Sequence, residues 1–397
     1  MVALATNKAK LLTKLITVST MATTLSNIDF IVIAVYFIGI IVYGISQSKR
    51  ASSEEYFLGG RSLTWPVVGI SLFAANISSS TLIGLAGSAY VLDMTVYNYE
   101  WYAVLVLVFF AIFFLPFYLK TGVYTMPEFM ERRYDSRSRY YFSFITVVGN
   151  VLIDTAASLY VGTIVLGLIF PGTDTWVIIV ILAAAAAAYT IPGGLNSVAR
   201  DTDGDRWLQY DSPFVPWRGL ITGAPLLGVY FWANNQFMVQ RILSSKSIDH
   251  GRWGALFAGL LKLPVILIMV IPGTIAYLIF KDADIAYQTF NGPCDDLANC
   301  TNYTYPSLLF ELLPTGLLGL VVAGLLAAMM SSISATFNSA STLITMDFVY
   351  KLRPNMTSQQ LVRAGQIATL VLVILASLWA PHKLRNSAIS LNIYKTS

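Results

Sequence analysis

The sequence predicts an all-α, multi-pass membrane protein, and three observations carry that prediction. First, the 397 residues are 56% hydrophobic and only 12% charged, with a mean hydropathy of +0.65. A soluble domain carries about a quarter charged residues, so this composition excludes a soluble enzyme, a disordered tail and a nucleic-acid binder. Second, about nine apolar runs reach the roughly 20 residues that a helix needs to cross a ~30 Å hydrocarbon core. Third, the net charge of +4 sits in short clusters between those runs, where it acts as an orientation signal. Two cysteines and two histidines supply neither a disulfide scaffold nor a zinc cluster.

The elements follow in chain order. Residues 1–27 hold Lys8, Lys10 and Lys14 among many Ser and Thr, with no acid before Asp29. They form an N-terminal tail or a targeting segment. The runs are 28–46, 62–92, 97–119, 140–170, 174–192, 217–243, 253–280, 312–345 and 364–380. Stretches such as ILAAAAAAYTI (181–191) lack the strict alternation of β-barrel strands, so each run reads as a helix. The domain thus spans 28–380, and 381–397 is a polar C-terminal tail.

Lys and Arg orient these helices. The loops after the first and third runs are basic (Lys49, Arg50, Arg61; Lys120, Arg132, Arg133, Arg137, Arg139), whereas 92–97 and 171–173 carry no Lys or Arg. The N-terminus therefore lies outside, and the fifth run ends inside near Pro192. Further on, Arg241, Lys246 and Arg252, and then Lys351, Arg353 and Arg363, mark inner loops. The acidic stretch 281–311 marks an outer one. These assignments require the run 217–243 to start outside, although the run before it ends inside. One crossing is missing, and the mismatch falls on 196–216, NSVARDTDGDRWLQYDSPFVP, which is too polar to span. This segment is either threaded through protein or the scar of a deleted helix.

Several runs hold polar groups where an ionised side chain costs roughly 3 kcal/mol or more. The second contains AANISSSTLIGLAGSAY (74–90), a composition that suits a locally unwound helix with freed carbonyls, or close helix packing. In the eighth, Ser331 and Ser332 lie one turn from Ala328. Hydroxyls and freed carbonyls are the hard oxygens a small alkali cation needs; a serine bonded to its own i−4 carbonyl is the plainer reading. Glu100 opens the third run, Asp154 lies deep in the fourth, and Lys262 lies mid-run in the seventh. Intramembrane charge of this kind marks a functional pathway or a buried ion pair, and Glu100 also suits an interfacial position. The sixth run, GAPLLGVYFWANNQFMVQR, reads as discontinuous, with Tyr230, Phe231 and Trp232 forming a face for a ring-shaped solute or a packing belt. Two discontinuous spans in corresponding halves point to a transporter built of inverted repeats.

These residues also carry a resemblance. EEYFLGGRSLTWPVVGISLFAANIS, TGVYTMPEFMERRY, YTIPGGLNSV, NNQFMVQRIL, LLKLPVILIMVIPG and MSSISATFNSASTLITMD occur in order over about residues 28–380. The chain is similar to the sodium:solute symporters, and most of all to their sodium/glucose (galactose) cotransporter branch. The resemblance implies a leucine-transporter-like (LeuT-like) inverted-repeat fold, here incomplete. It implies a sodium site at Ala74, Ile77, Ala328, Ser331 and Ser332. It assigns sugar-hydroxyl contacts to Glu100 and Lys262, and places Phe231 where a tyrosine stacks on the ring. Thr81 stands in place of a glutamine, Gly228 of an asparagine and Ala103 of a serine. These departures favour a sugar-like or polyol solute over galactose itself. Thr202 and Asp203 stand one residue out of register with a family motif that leads into the fifth core helix. That helix, the tenth core helix and the later ones have no counterpart here.

The outer stretch adds N-x-S/T sequons at Asn299 and Asn302 and the pair Cys294 and Cys300, while Asn355 heads a further sequon on the predicted inner side. The expectation is a non-enzymatic, sodium-coupled symporter of a small polar solute in the plasma membrane. It has no cofactor beyond the coupling ion and no nucleic-acid partner, and its oligomeric state is open. The other class left open is a non-transporting sensor, or a regulatory or truncated form of such a symporter.

Overall fold

A computed structural model describes residues 25–47, 52–170, 172–193, 225–280 and 301–395. The polar segment 196–216, with Thr202 and Asp203, lies outside the described residues, as do Asn299, Cys294 and Cys300 and most of the 1–27 tail. Among the described residues the regular structure is all helical, with one isolated parallel bridge, Leu63–Ser245. Five helices among them are long and apolar enough to cross a membrane: Glu100–Thr121, Ser136–Gly167, Ile248–Tyr277, Leu317–Leu352 and Ser358–Ala380. A sixth span is a pair bent by 56°, Trp65–Asn76 with Thr81–Tyr90. The apolar helices Asn27–Ile40 and Thr175–Ala187 are shorter.

The helices are α1 (Asn27–Gln47), α2 (Trp65–Asn76), α3 (Ser79–Leu92), α4 (Asn98–Phe109), α5 (Met126–Arg133), α6 (Ser136–Gly149), α7 (Ala156–Ile169) and α8 (Thr175–Gly193). After the undescribed stretch come α9 (Gln236–Leu243), α10 (Ile248–Lys262), α11 (Val265–Phe280), α12 (Thr304–Leu312), α13 (Leu317–Leu343) and α14 (Ser358–Lys395). Helix α14 continues through 381–395, a stretch whose polarity reads as a tail in the sequence. Wide π turns at Phe110–Phe114 and Asn150–Thr155 prolong α4 and join α6 to α7. Two more precede α9, at Tyr230–Asn234, and prolong α13, at Ile344–Val349.

Local chemistry starts each loop-side helix. Thr125 caps α5 by accepting from the Glu128 N–H at 3.2 Å, Asp135 caps α6 through the Ser138 N–H at 2.9 Å, and Ser247 caps α10 through the His250 N–H at 3.3 Å. Small residues then let the spans approach. A side chain on Gly69 would lie 2.8 Å from the Gly254 carbonyl, and one on Gly254 would lie 2.6 Å from Val68, so α2 and α10 meet nearly backbone to backbone.

The basic loops converge on one end of the molecule. There the Leu63 N–H donates to the Ser244 carbonyl at 3.1 Å and the Lys246 N–H donates to the Leu63 carbonyl at 2.9 Å. The Arg61 guanidinium reaches the Gly122 carbonyl at 2.9 Å, and Ser53 bonds Ser358. At the opposite end the Asp29 carboxylate accepts from the Gly316 and Gly319 N–H groups at 2.7 and 2.8 Å. It thereby caps α13, whose first turn has four orphan N–H donors.

Candidate ion and solute site

The first broken span has a visible cause. At Ile77 the backbone turns extended (φ −81°, ψ 93°), and its N–H still closes on the Phe73 carbonyl at 2.9 Å. The Ser78 hydroxyl then accepts from the Thr81 N–H at 3.0 Å and restarts the helix as a cap. Both sequence readings of 74–90 are observed: the helix unwinds at Ile77, and its small residues pack closely further on, where a side chain on Gly273 would run into the Ala86 carbonyl. Thr81, expected at the solute, spends its hydroxyl locally, 2.9 Å from the Ser78 hydroxyl and 3.3 Å from the Asn76 carbonyl.

Helix α13 packs against both halves of this break. Ala74 and Ile77 are buried, Ala328 and Ser331 are half-buried, and Ser332 is 8% exposed. Ile77 and Ala328 share one apolar cluster. The Ser332 hydroxyl donates to the Ala328 carbonyl at 3.0 Å. That is the back-bond of a helical serine, the plainer of the two readings the sequence offers for it. Among the described residues no group of three or more His, Cys, Asp or Glu is placed to hold a metal ion.

The second charged feature is an ion pair. Lys262, 1% exposed, donates to the Glu100 carboxylate, which is 9% exposed. The Lys262 ammonium also stands 6.0 Å from the Trp232 ring centroid, within cation–π range. Of the readings open for Glu100 and Lys262, the buried ion pair is observed, with Glu100 at the start of its apolar span. Phe231 lies in the π turn, edge-on to Trp232 at 5.3 Å and to Phe237 at 5.6 Å between ring centroids. It is built into an aromatic cluster rather than standing open as a flat face. The backbone turns extended again at Asn235 (ψ 121°), whose side chain caps α9, so the sixth run is discontinuous as the sequence predicts. A side chain on Gly228 would come within 2.8 Å of Val106, so an asparagine there would require Val106 to shift.

Asp154 sits in the π turn between α6 and α7, half-buried, with no hydrogen bond or ion pair among the described residues. It is not drawn into the Glu100–Lys262 pair.

Sequence reasoning missed two features. Asn76 lies at the unwound point with its side-chain oxygen buried and without a partner, a poised acceptor. An amide inside a run of small residues beside a helix break is the signal that would have found it. The other is Asp347, fully buried, which accepts from Thr125 at 2.7 Å, from Ser143 at 2.5 Å, and from Arg139 at 2.6 and 2.9 Å. Arg139 in turn holds Glu131 at 2.7 Å, and Lys351 closes on the same carboxylate. Burial pushes the Glu131 carboxyl up, but hydrogen bonds from Lys351 and Arg139 outweigh it and leave the group below its ordinary value.

Residues 56–203 and 205–395 match the sodium:solute symporter family. The chain belongs to that family. Among its relatives, sodium/glucose cotransporter 4 of Danio rerio is 32% identical over 416 residues, covering 90% of this chain and 63% of the relative. Sodium/glucose cotransporter 1 of Ovis aries is 32% identical, covering 89% and 62%. The sodium/myo-inositol cotransporter of Bos taurus is 32% identical, covering 91% and 60%. The chain therefore spans less than two thirds of the length of these relatives. The 416-residue alignments also exceed the 397 residues of the chain, so the relatives carry segments that this family member does not.

A solved Na+-coupled sialic acid symporter, in a substrate-bound outward-open state, superposes with a TM-score of 0.78 at 22% identity, covering 92% of this chain and 83% of that one. That likeness establishes the leucine-transporter-like inverted-repeat fold. As a family member of this fold, the chain is a multi-pass integral membrane protein.

Proposed function

We propose that this chain binds sodium and a neutral polyhydroxylated solute, a sugar or polyol, and moves them together across the plasma membrane. The observation that carries the reading is the buried Glu100–Lys262 pair beside Trp232. An ion pair this deep is costly to desolvate and is retained where it has a task. Its net charge is zero, so it recognises a neutral partner. Between them a carboxylate and an ammonium accept and donate hydrogen bonds, as a hydroxylated ring requires. Asn76 supplies a further acceptor at the break. Phe231 and Thr81 are the remaining candidates for contact with the solute.

Sodium, as the coupling ion, is assigned to the carbonyls of Ala74, Ile77 and Ala328 and the hydroxyls of Ser331 and Ser332. Binding there would hold α13 against the unwound segment and fix the geometry of Asn76. That linkage raises solute affinity by a reciprocal coupling of about 1–3 kcal/mol. Rocking of one repeat against the other would then release both ligands on the far side.

A second reading is binding without transport. It is favoured by the segments that the relatives carry and this chain does not, and by the family match breaking at residue 204 within the polar stretch 196–216. Purified chain in proteoliposomes under an inward sodium gradient, offered labelled myo-inositol and D-glucose, separates the two. Sodium-stimulated accumulation supports symport. Sodium-stimulated binding without accumulation supports the sensor. The absence of any sodium effect on either probe overturns both.

A further inference from the structure

We infer that Tyr97 is the positioning residue for the Glu100–Lys262 pair, an inference that rests on reading the pair as part of the solute site. The reason begins with a proline. Pro264 has no N–H, and the helix ladder slips around it: the Leu263 N–H closes on the Leu260 carbonyl at 3.2 Å, and the Leu267 N–H closes on the Pro264 carbonyl at 3.2 Å. The donor that would normally reach the Leu263 carbonyl is therefore spent one residue further on. Inside a membrane span a carbonyl left in this way must find another donor.

That donor is the Tyr97 hydroxyl, at 2.9 Å. Tyr97 is 3% exposed and closes the 3-10 turn Asp93–Tyr97 directly before α4. Glu100 follows three residues later, one helical turn along. Lys262 precedes Leu263 by one residue. A single hydrogen bond thus ties the backbone next to the ammonium to the turn that carries the carboxylate. The first turn of α4 is itself fixed by the Trp101 indole N–H, which donates to the Asn98 side-chain oxygen at 3.1 Å. The two spans already pack closely further along, where a side chain on Gly259 would lie 3.6 Å from Val104, and the Tyr97 bond is the polar tie at the end that carries the pair. The tyrosine sets their register, so that carboxylate and ammonium face the solute together.

Tyr97→Phe keeps the ring and removes only the hydroxyl. In the full chain in lipid nanodiscs, sodium-dependent binding of labelled myo-inositol or D-glucose is expected to weaken about 3- to 10-fold. Half-saturation for sodium should stay within about twofold of the parent, since the ion site is on other elements. A thermal double-mutant cycle gives a reading that needs no solute. The loss on Tyr97→Phe should shrink in the Glu100→Gln/Lys262→Met background, because there is no pair left to position. Additive losses in the cycle, together with parent-like solute binding by Tyr97→Phe, overturn the inference and leave the proposed function standing. Non-additive losses combined with unchanged solute binding by Glu100→Gln sink the proposed function instead, while the coupling of Tyr97 to the pair remains.

Discussion

Two buried carboxylates hold opposite lessons. Asp347 is surrounded: Thr125, Ser143 and two nitrogens of Arg139 donate to it, and Arg139 is braced in turn by Glu131. Glu100 has Lys262 as its salt-bridge partner, with Trp232 beside the ammonium. A carboxylate held by four donors, three of them on Oδ1 and one on Oδ2, is tied into its surroundings, so Asp347 acts as a fastener at the basic end. A pair with few contacts keeps donors and acceptors in reserve and can trade part of its bonding for a solute. Burial alone does not distinguish structure from function here. The number of satisfied bonds does.

Asp347→Ala should have the largest effect, because it removes the buried acceptor shared by Thr125, Ser143 and Arg139. Stability should fall by about 3–5 kcal/mol, read as lower yield and lower melting temperature in detergent; parent-like melting would show that Asp347 is no fastener. Next, Glu100→Gln should cost about 1.5–3 kcal/mol and remove sodium-dependent solute binding. Adding Lys262→Met should restore stability to within about 1 kcal/mol, since a buried pair can be replaced by apolar groups at little cost, but it should not restore binding. Solute binding by the double variant would erase the contrast between the two carboxylates.

Ser332→Ala should be smaller, at about 1 kcal/mol or roughly a fivefold rise in sodium half-saturation, with the order of solute preference unchanged. An unchanged sodium half-saturation would remove this hydroxyl from the ion site. Smallest is a pH effect at Glu131. Its folded value is lowered, so the stability it lends is complete above its unfolded value near 4.5 and is lost as pH falls below that through the folded value. Melting curves between pH 7 and pH 3 should therefore show a shallower decline for Glu131→Gln than for the parent; identical slopes would count against the link.

What the sequence revealed follows from how local each signal is. The break at Ile77–Ser78 is written in consecutive small and hydroxylated residues, and the discontinuity before α9 in consecutive glycine, proline and amides. Both were legible. The partners of the charges were not. Glu100 and Lys262 lie 162 positions apart, and Arg139 and Asp347 lie 208 apart, so no spacing rule connects them. Asp347 was hidden further by standing near a basic loop, where an acid reads as interfacial. Thr81 and Phe231 were legible as site candidates by position, but the structure shows one with its hydroxyl bonded within the break and the other packed among aromatics. Nothing in one strand of sequence says whether a hydroxyl is already spent.

The Leu63 bridge has a consequence for how this end of the molecule opens. Its two bonds run from main chain to main chain, so among side-chain replacements only proline, at Leu63 or Lys246, removes a donor. At about 1 kcal/mol each, they bias the joined arrangement over the parted one by roughly 30-fold. A ligand that parts this end must prefer the parted form by at least that ratio. This share of the bias is thus written into the backbone, where a replacement other than proline leaves both donors in place.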